Sequence, residues 1–419
     1  MADKPKKPHA IVIPYPLQGH VIPTVHLALK LASQGFTITF INAASIDHQI
    51  SKAQHKTDVD FMATLLHVFS AHIEEVVAQI VASGQDVHFL IADTFFVWPS
   101  KIAKKFGLVQ VSFWTEPALV FTLYYHLDLL RLNGHFACPD CREDTIDYIS
   151  GVKGIEMKDT MSYLQETDTT SVCYQIIYSC FTDTKNADFV LCNTVQELEP
   201  DTISALQTKI PYYAIGPIFP NDFSKTILAT SLWPESQCTQ WLDKRPHGSV
   251  LYVSFGSYAH VTRSDLEQIA NGLSLSQVSF VMMMPDPLPV GFQEEVADRA
   301  IIVPWCSQRE VLAHPAIGGF LAHCGWNSIL ESVWCQVPLL LVDDWKIGIN
   351  LSYRKVITKE EVSDNEFRNR VKEVKKTLGN AVSPTGSSEK NKVQFIKDLK
   401  AKIEKIDQAK NTKSNGHVQ

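Results

Sequence analysis

The sequence predicts an α/β protein of two parallel sheets, each covered by helices on both faces. Three observations carry this. Short apolar runs of strand length alternate with stretches of helical period along the chain. An irregular, proline-bearing segment at residues 217–235 divides those runs into two series. At 419 residues the chain is too long for one ordinary core, so two domains are the default.

The first series opens with His9 to Pro14, a short β-type run. The loop Y-P-L-Q-G-H and a helical pattern from Ile22 to Gln34 follow. Phe36 to Asn42 alternates as a strand, which completes a βαβ opening. Phe61 to Ala82 is helical in period. Val87 to Ala92 reads as a buried strand ending at Asp93, and Val109 to Trp114 as another ending at Thr115. Residues 188–193 and 212–216 continue in the same style. Strands this uniformly apolar belong in a parallel sheet buried on both faces. The second series starts with Ser249 to Phe255, followed by Gly256 and Ser257. It runs on through Val278 to Met283, Ala300 to Val303 and Gly319 to His323. Asn391 to Ile406 is a charged helix. The expected organisation is a first domain over 1–216, a linker over 217–235, a second domain over 236–408 and a polar, disordered tail over 409–419. No internal repeat of solenoid period is present.

Composition narrows the function. With 45% hydrophobic and 20% charged residues the chain is globular. A net charge of −7 argues against a nucleic-acid surface and gives no general attraction to anionic membranes. The run from Ala10 to Pro14 is too short for a signal sequence or a span, and no other stretch reaches span length, so a cytoplasmic protein is expected. Nine cysteines, an odd number without framework spacing, fit reduced thiols. Cys138 and Cys141 form one CxxC with no second pair, which reads as a surface loop rather than a zinc or redox site.

The most informative stretch is Trp305 to Pro338, W-C-S-Q-R-E-V-L-A-H-P-A-I-G-G-F-L-A-H-C-G-W-N-S-I-L-E-S-V-W-C-Q-V-P. Here a strand and a glycine lead into a helix starting with Asn327 and Ser328. The first amides of a helix lack partners and carry the positive end of its dipole, an arrangement that holds phosphate. Glu331, about one turn on, could accept two neighbouring sugar hydroxyls. Trp305 offers a flat face to a base. Base, ribose and diphosphate are the parts of a sugar nucleotide. In the first half, His20 follows the first strand and could take a proton near neutral pH, or simply bond to backbone. Asp93 could hold that imidazole in one tautomer, or cap a following helix.

The stretch resembles the donor-binding signature box of plant UDP-dependent glycosyltransferases. Trp305, Gln308, His314, Pro315, Gly318, Phe320, His323, Cys324, Gly325, Trp326, Asn327, Ser328, Glu331, Val337 and Pro338 all fall where that family places them. W-L-D-K-R-P-H-G-S-V-L-Y-V-S-F-G-S also resembles the family's entry into its second domain. The resemblance implies two Rossmann-like domains facing across a cleft (GT-B type). It implies inverting, metal-independent transfer of a sugar, glucose from UDP-glucose, to a hydroxyl of a small lipophilic acceptor, as in plant secondary metabolism. UDP-sugar is then a co-substrate and no cofactor is expected. Asp58-Val59-Asp60, a DxD by its letters, has no metal role in such a family.

Carried over position by position, His20 is the base and Asp93 its partner, while Thr115 matches the threonine that contacts the sugar, with a plain ST-turn as its other reading. Trp305 stacks on uracil, and the Cys306 backbone and Gln308 meet base and ribose. His323, Asn327 and Ser328 face the diphosphate, with Ser257 beside the phosphates and Trp326 in the same donor box. Glu331 holds the ribose, and His314 is structural.

The resemblance breaks after Pro338. The family's box runs on and closes with Asp-Gln, which bind the transferred sugar. Here Leu339, Leu340, Leu341, Val342, Asp343, Asp344 and Trp345 follow directly, so about a dozen residues or slightly more are missing, the closing pair among them. Gln336 stands where the family usually has glycine, and the segments after Ile50 and Met284 are also short. The alternative is therefore a non-catalytic or impaired UDP-binding relative. A nicotinamide dehydrogenase is disfavoured because no GxGxxG follows the first strand.

Overall fold

The structure is a computed structural model. It describes residues 7–42, 58–137, 142, 144–220, 223, 235–256, 261–284, 288–339 and 365–415, with 58–60, 365–367 and 410–415 given by their helical backbone alone. The strands are β1 (His9–Ile13), β2 (Thr37–Phe40), β3 (Phe89–Asp93), β4 (Val109–Trp114), β5 (Thr145–Ile146), β6 (Ile155–Glu156), β7 (Phe189–Cys192), β8 (Tyr212–Ala214), β9 (Val250–Ser254), β10 (Ser279–Met283), β11 (Ala300–Val303) and β12 (Ile317–Ala322). The chain divides into two compact units: Met1–Pro16, Pro23–Ile218 and Ala381–Gln419 form one, and Leu17–Ile22 and Phe219–Asn380 the other.

The first unit holds a six-stranded sheet in the order β2-β1-β3-β4-β7-β8, with every pairing parallel. The strands β1, β3, β4 and β7 are dry on both faces, which explains their continuous apolar runs, whereas the edge strand β2 is partly exposed. On one face Ala10, Val12, Phe89, Ile91, Val111 and Leu191 pack with Leu27 and Leu31 of the helix Gln18–Ser33 and with Phe395, Leu399 and Ile403 of the helix Ser387–Asn415. On the other, Trp114, Val190, Cys192 and Tyr212 meet Phe121 and Tyr124 of the helix Ala118–Tyr125 and Phe181 of the helix Val172–Thr184.

Three local features differ from the periodicity. The run Phe61 to Ala82 is two helices, Asp58–His67 and Phe69–Ala82, bent by 51°. Asp58 and Asp60 stand in the first turn of the former. The helix expected over Asn391 to Ile406 extends from Ser387 to Asn415, over most of the expected tail, because no glycine or proline interrupts it before Gly416. Residues from Ala381 onward, grouped with the second domain in the sequence reading, pack with the first unit. The cause is the apolar stripe of Phe395, Leu399 and Ile403, anchored by Tyr213 Oη donating to Asp398 at 2.7 Å and by Lys402 paired with Asp188 at 2.7 Å. The hairpin of β5 and β6 was not legible beforehand.

The second unit holds a four-stranded parallel sheet in the order β11-β10-β9-β12. Phe320 N–H donates to Pro338 O at 2.9 Å and Phe320 bridges Leu339 in parallel, so the chain after the donor-box helix returns alongside β12. Residues 340–364, Asp343 and Asp344 among them, lie outside the described residues, as do Ser257, Cys138, Cys141 and the shortened segments at 43–57 and 285–287. Among the described residues no single helix is long and apolar enough to cross a membrane. The bent pair Phe61–His67 and Phe69–Ala82 passes only by joint length and composition, and Phe69, Ile73 and Val77 within it are buried.

Candidate functional site

In an open parallel sheet, ligands bind beyond the carboxyl ends of the strands, where the strand order reverses. In the second unit that point lies between β9 and β12, whose ends Ser254 and Ala322 are paired. Gly256 follows the one and His323 the other. Gly256 has φ +75, and a Cβ there would lie 2.6 Å from Cε1 and 2.7 Å from Nε2 of His323. A Cβ on Gly325 would collide with the same Nε2. The imidazole therefore occupies a slot between two glycines that admits no side chain on either wall. It bonds to the Ser254 backbone, yet desolvation outweighs that bond and lowers its pKa, although part of the residue is open to solvent. A neutral ring is the result at physiological pH.

Gly325 is the N-cap of the helix Trp326–Trp334, whose first amides open at the same edge. Trp326 and Ser328 are buried. The helix Gln308–Ala313 packs beside it, and Gln308 Nε2 donates both to Ser328 Oγ at 3.1 Å and to Glu331 Oε2 at 2.8 Å. Glu331 is 8% exposed, and its Oε1 has no partner among the described residues. Burial raises the pKa of this carboxyl, while the Gln308 bond and then the charge of Arg309 oppose the rise. Gln308, Ser328 and Glu331 are thus one hydrogen-bonded group.

Trp305 is half-buried, and its carbonyl accepts from Ser236 N–H at 2.8 Å. Cys306 turns its thiol inward, 3.8 Å from Tyr252 Oη, and its contact with Cys238 followed by burial pushes its pKa up. His314 bridges locally, with Nε2 3.2 Å from Asp243 Oδ1 and Nδ1 accepting from Ala316 N–H at 3.2 Å.

His20 was expected in a loop, but it stands in the first turn of the helix Gln18–Ser33, half-buried. Pro23 lies within that helix and has no N–H, so the Gly19 carbonyl four residues earlier loses its helical donor. Asn327 Nδ2 donates to that carbonyl at 2.6 Å. The segment Leu17–Ile22, which carries His20, accordingly groups with the second unit. Asn327, expected at the diphosphate, has its amide engaged here.

In the first unit the strand order reverses at β1, and β1, β3 and β4 are neighbours. Asp93 ends β3, is 2% exposed, and accepts from Phe95 N–H at 3.0 Å through Oδ1. It closes a turn rather than capping a helix, since the next helix begins at Pro99. Thr115, also buried, follows β4. Asp93 and Thr115 thus end adjacent strands of the first unit. Tyr15, Phe95, Phe96 and Trp98 cluster beyond these strand ends, with centroids 5.8 Å for Tyr15–Phe95, 5.2 Å for Tyr15–Phe96 and 4.7 Å for Phe96–Trp98.

Sequence reasoning missed Arg309, Cys238 and the Gly19 carbonyl. None of the three could be read from spacing, since the helix that frees the Gly19 carbonyl starts at Gln18, four residues before the helical pattern in the sequence.

Comparison with known proteins gives the family and the fold. The family described as UDP-glucoronosyl and UDP-glucosyl transferase matches residues 143–343. UDP-glycosyltransferase 86A1 of Arabidopsis thaliana is 50% identical, with 96% of each chain covered. Its 475 aligned positions exceed the 419 residues of the chain, so gaps in this chain stand opposite residues of that relative. Medicago truncatula UGT71G1 complexed with UDP-glucose superposes with a TM-score of 0.77 at 25% identity, covering 95% of this chain and all of that one. Phytolacca americana UGT2, complexed with UDP-2fluoro-glucose and pterostilbene, gives 0.76 at 26% identity, covering 94% of this chain and 100% of that one. The fold is that of the GT-B glycosyltransferases, with two Rossmann-like domains.

Proposed function

The chain belongs to the plant UDP-glycosyltransferases, and on that premise we propose that it transfers glucose from UDP-glucose to a hydroxyl of a small lipophilic acceptor. A glycosyltransferase that binds a UDP-sugar follows from the family. The choice of glucose is supported by UDP-glucose in the Medicago truncatula complex, and that of a lipophilic acceptor by pterostilbene in the Phytolacca americana complex. The observation that carries the reading is the bonded group of Gln308, Ser328 and Glu331 beside the helix N-terminus and the His323 slot. It offers a carboxylate oxygen for the ribose diol, helix amides for the diphosphate and a neutral imidazole at the edge.

In this reading His20 takes the proton of the acceptor hydroxyl, and Asp93 stabilises the imidazolium that results. The acceptor oxygen forms its bond to the anomeric carbon as the bond from that carbon to the UDP oxygen breaks. The electron pair leaves on the diphosphate, where the helix amides and His323 receive it, and configuration inverts. Thr115 contacts the sugar, Trp305 stacks on uracil, and Ser257, Cys306, Trp326 and Asn327 complete the donor site. The reaction uses no metal or cofactor and takes place in the cytoplasm.

A second reading, a UDP-binding relative with impaired transfer, is favoured by the gaps against the Arabidopsis relative and by the direct passage from Pro338 to Leu339. Hydroxyls of the sugar then lack the Asp-Gln pair, and transfer slows by orders of magnitude because such bonds matter most in the transition state.

UDP release from UDP-glucose over phenolic and terpenoid acceptors tests both readings. Turnover by the chain as it stands, lost roughly 10²–10⁴-fold in His20→Ala with UDP affinity kept, is expected of the enzyme. No turnover until the missing segment is spliced in from a relative identifies the impaired binder. Turnover by His20→Ala equal to the parent's sinks the catalytic assignment.

A further inference from the structure

Arg309 follows Gln308 on the helix Gln308–Ala313 and is only 9% exposed. Its Nη1 is buried without a hydrogen-bond partner, and among the described residues none pairs with its guanidinium through a hydrogen bond or an ion pair. Its Cζ lies 6.0 Å from the ring centroid of Phe223. A buried cation without such a pair is too costly to be a packing accident. Its surroundings show what it acts on. The adjacent Gln308 grips Glu331 directly, and the helix carrying Arg309 packs on the helix carrying Glu331.

We propose that Arg309 is a positioning residue for sugar-nucleotide recognition: its buried guanidinium, near the Phe223 ring on the helix that also carries Gln308, supplies the counter-charge that keeps Glu331 a carboxylate facing the ribose diol. This rests on the reading of Glu331 as the ribose partner. A buried carboxyl without a counter-charge takes up a proton, and a protonated acid cannot accept from two neighbouring hydroxyls through two ionised oxygens. Gln308 supplies a neutral donor, which alone leaves the charge uncompensated. Arginine cannot lose its proton in the working range, so its charge does not fade with pH.

Among the described residues the groups facing Glu331 and Arg309 are few. Gln308 and Arg309 come from the neighbouring helix, Tyr252 from β9, and Cys335 from the C-cap of the helix that carries Glu331. Burial holds the Tyr252 phenol well above its ordinary range and pushes Cys335 up to about 12, so both stay neutral. Glu235 is another acid within reach of the Arg309 charge; burial and then Glu310 raise it.

The test is calorimetric titration of the full chain with UDP and with 2′,3′-dideoxy-UDP from acidic to alkaline pH. The ratio of the two Kd values isolates the diol, because titration of the phosphates is common to both. In the parent the preference for UDP grows as pH rises through the Glu331 ionisation. In Arg309→Met and Arg309→Gln that rise moves up by about one pH unit or more, so just above the parental midpoint the preference drops up to about tenfold. Arg309→Lys restores the parental midpoint, and Glu235→Gln moves it the other way. The proposal is overturned if a folded Arg309→Met or Arg309→Gln keeps the parental midpoint. Glu331→Gln separates the two layers. If it abolishes the preference while the Arg309 variants leave the midpoint in place, only the role of Arg309 fails. If it leaves the preference intact, or if the parent shows none, the ribose reading of Glu331 fails and this proposal with it.

Discussion

Replacing Gly256 by alanine closes the slot that holds His323. The new Cβ would sit 2.6 Å from Cε1 of the ring, at a residue whose φ is +75. Real Cβ contacts do not come that close, and the ring cannot retreat, because Gly325 bounds it at Nε2. The imidazole must swing out and give up its bond to the Ser254 backbone. Two costs follow: about 1–2 kcal/mol for an L side chain in the left-handed region, and about 0.5–1.5 kcal/mol for the bond. The variant should lose about 2–3 kcal/mol of stability. If His323 receives charge on the departing diphosphate, transfer should also fall by roughly 10²–10³-fold, the usual effect of removing such a donor. Gly35→Ala is the matched control. Its φ is +89, and nothing lies within 4 Å of the added Cβ. It carries the backbone strain without the collision. Chemical denaturation, UDP calorimetry and UDP release are measured on both. If Gly256→Ala loses no more UDP affinity or turnover than Gly35→Ala, the slot does not position His323 for the donor, and the reasoning fails.

Gln336 ends the donor-box helix at φ +61, with its N–H bonded to Val333 O at 3.0 Å and Val337 N–H to Ser332 O at 2.9 Å, a Schellman ending. Gln336→Gly should therefore stabilise the protein by about 1 kcal/mol in denaturant titration; a loss of stability would contradict this. Phe395 is buried in T-shaped contact with Phe189 and Tyr213, each at 5.7 Å. Phe395→Ala should cost about 3–5 kcal/mol and loosen the C-terminal helix in hydrogen exchange, whereas a change under 1 kcal/mol (a small fraction of that) would mean the helix is not docked. Glu199 is half-buried by exposure, with its carboxylate turned inward, and accepts from Ala118 N at 2.9 Å, Leu119 N at 2.7 Å and Thr194 Oγ1 at 2.6 Å. Burial nonetheless raises its folded pKa above 4.5. The stability from this group is full below pH 4.5 and is lost as pH rises through the folded value. Glu199→Gln, which cannot ionise, should flatten that part of the pH dependence of unfolding; an unchanged slope refutes the assignment.

The sequence by itself determined the class of fold and the donor box. Parallel strands buried on both faces must be apolar at nearly every position, so β1, β3, β4 and β9 stand out as runs without any partner being known. The helix proposed to face the diphosphate is equally local, since glycine, asparagine and serine at its start and the glutamate a turn later stand close together in the text. Even the strained Gln336 was marked by the glycine expected in its place. Tertiary structure decided whatever depended on distant segments. No period in Asn391 to Ile406 says which sheet its stripe of Phe395, Leu399 and Ile403 will cover. Whether the Gly19 carbonyl freed by Pro23 finds Asn327 depends on contact across 308 positions. The burial of Arg309, the meeting of Cys238 with Cys306 and the glycine walls around His323 are likewise products of packing. Periodicity reports which face of an element is dry, because that depends on neighbours a few residues away. Which groups share that dry space is set by chain closure over long separations, and one-dimensional spacing does not encode it.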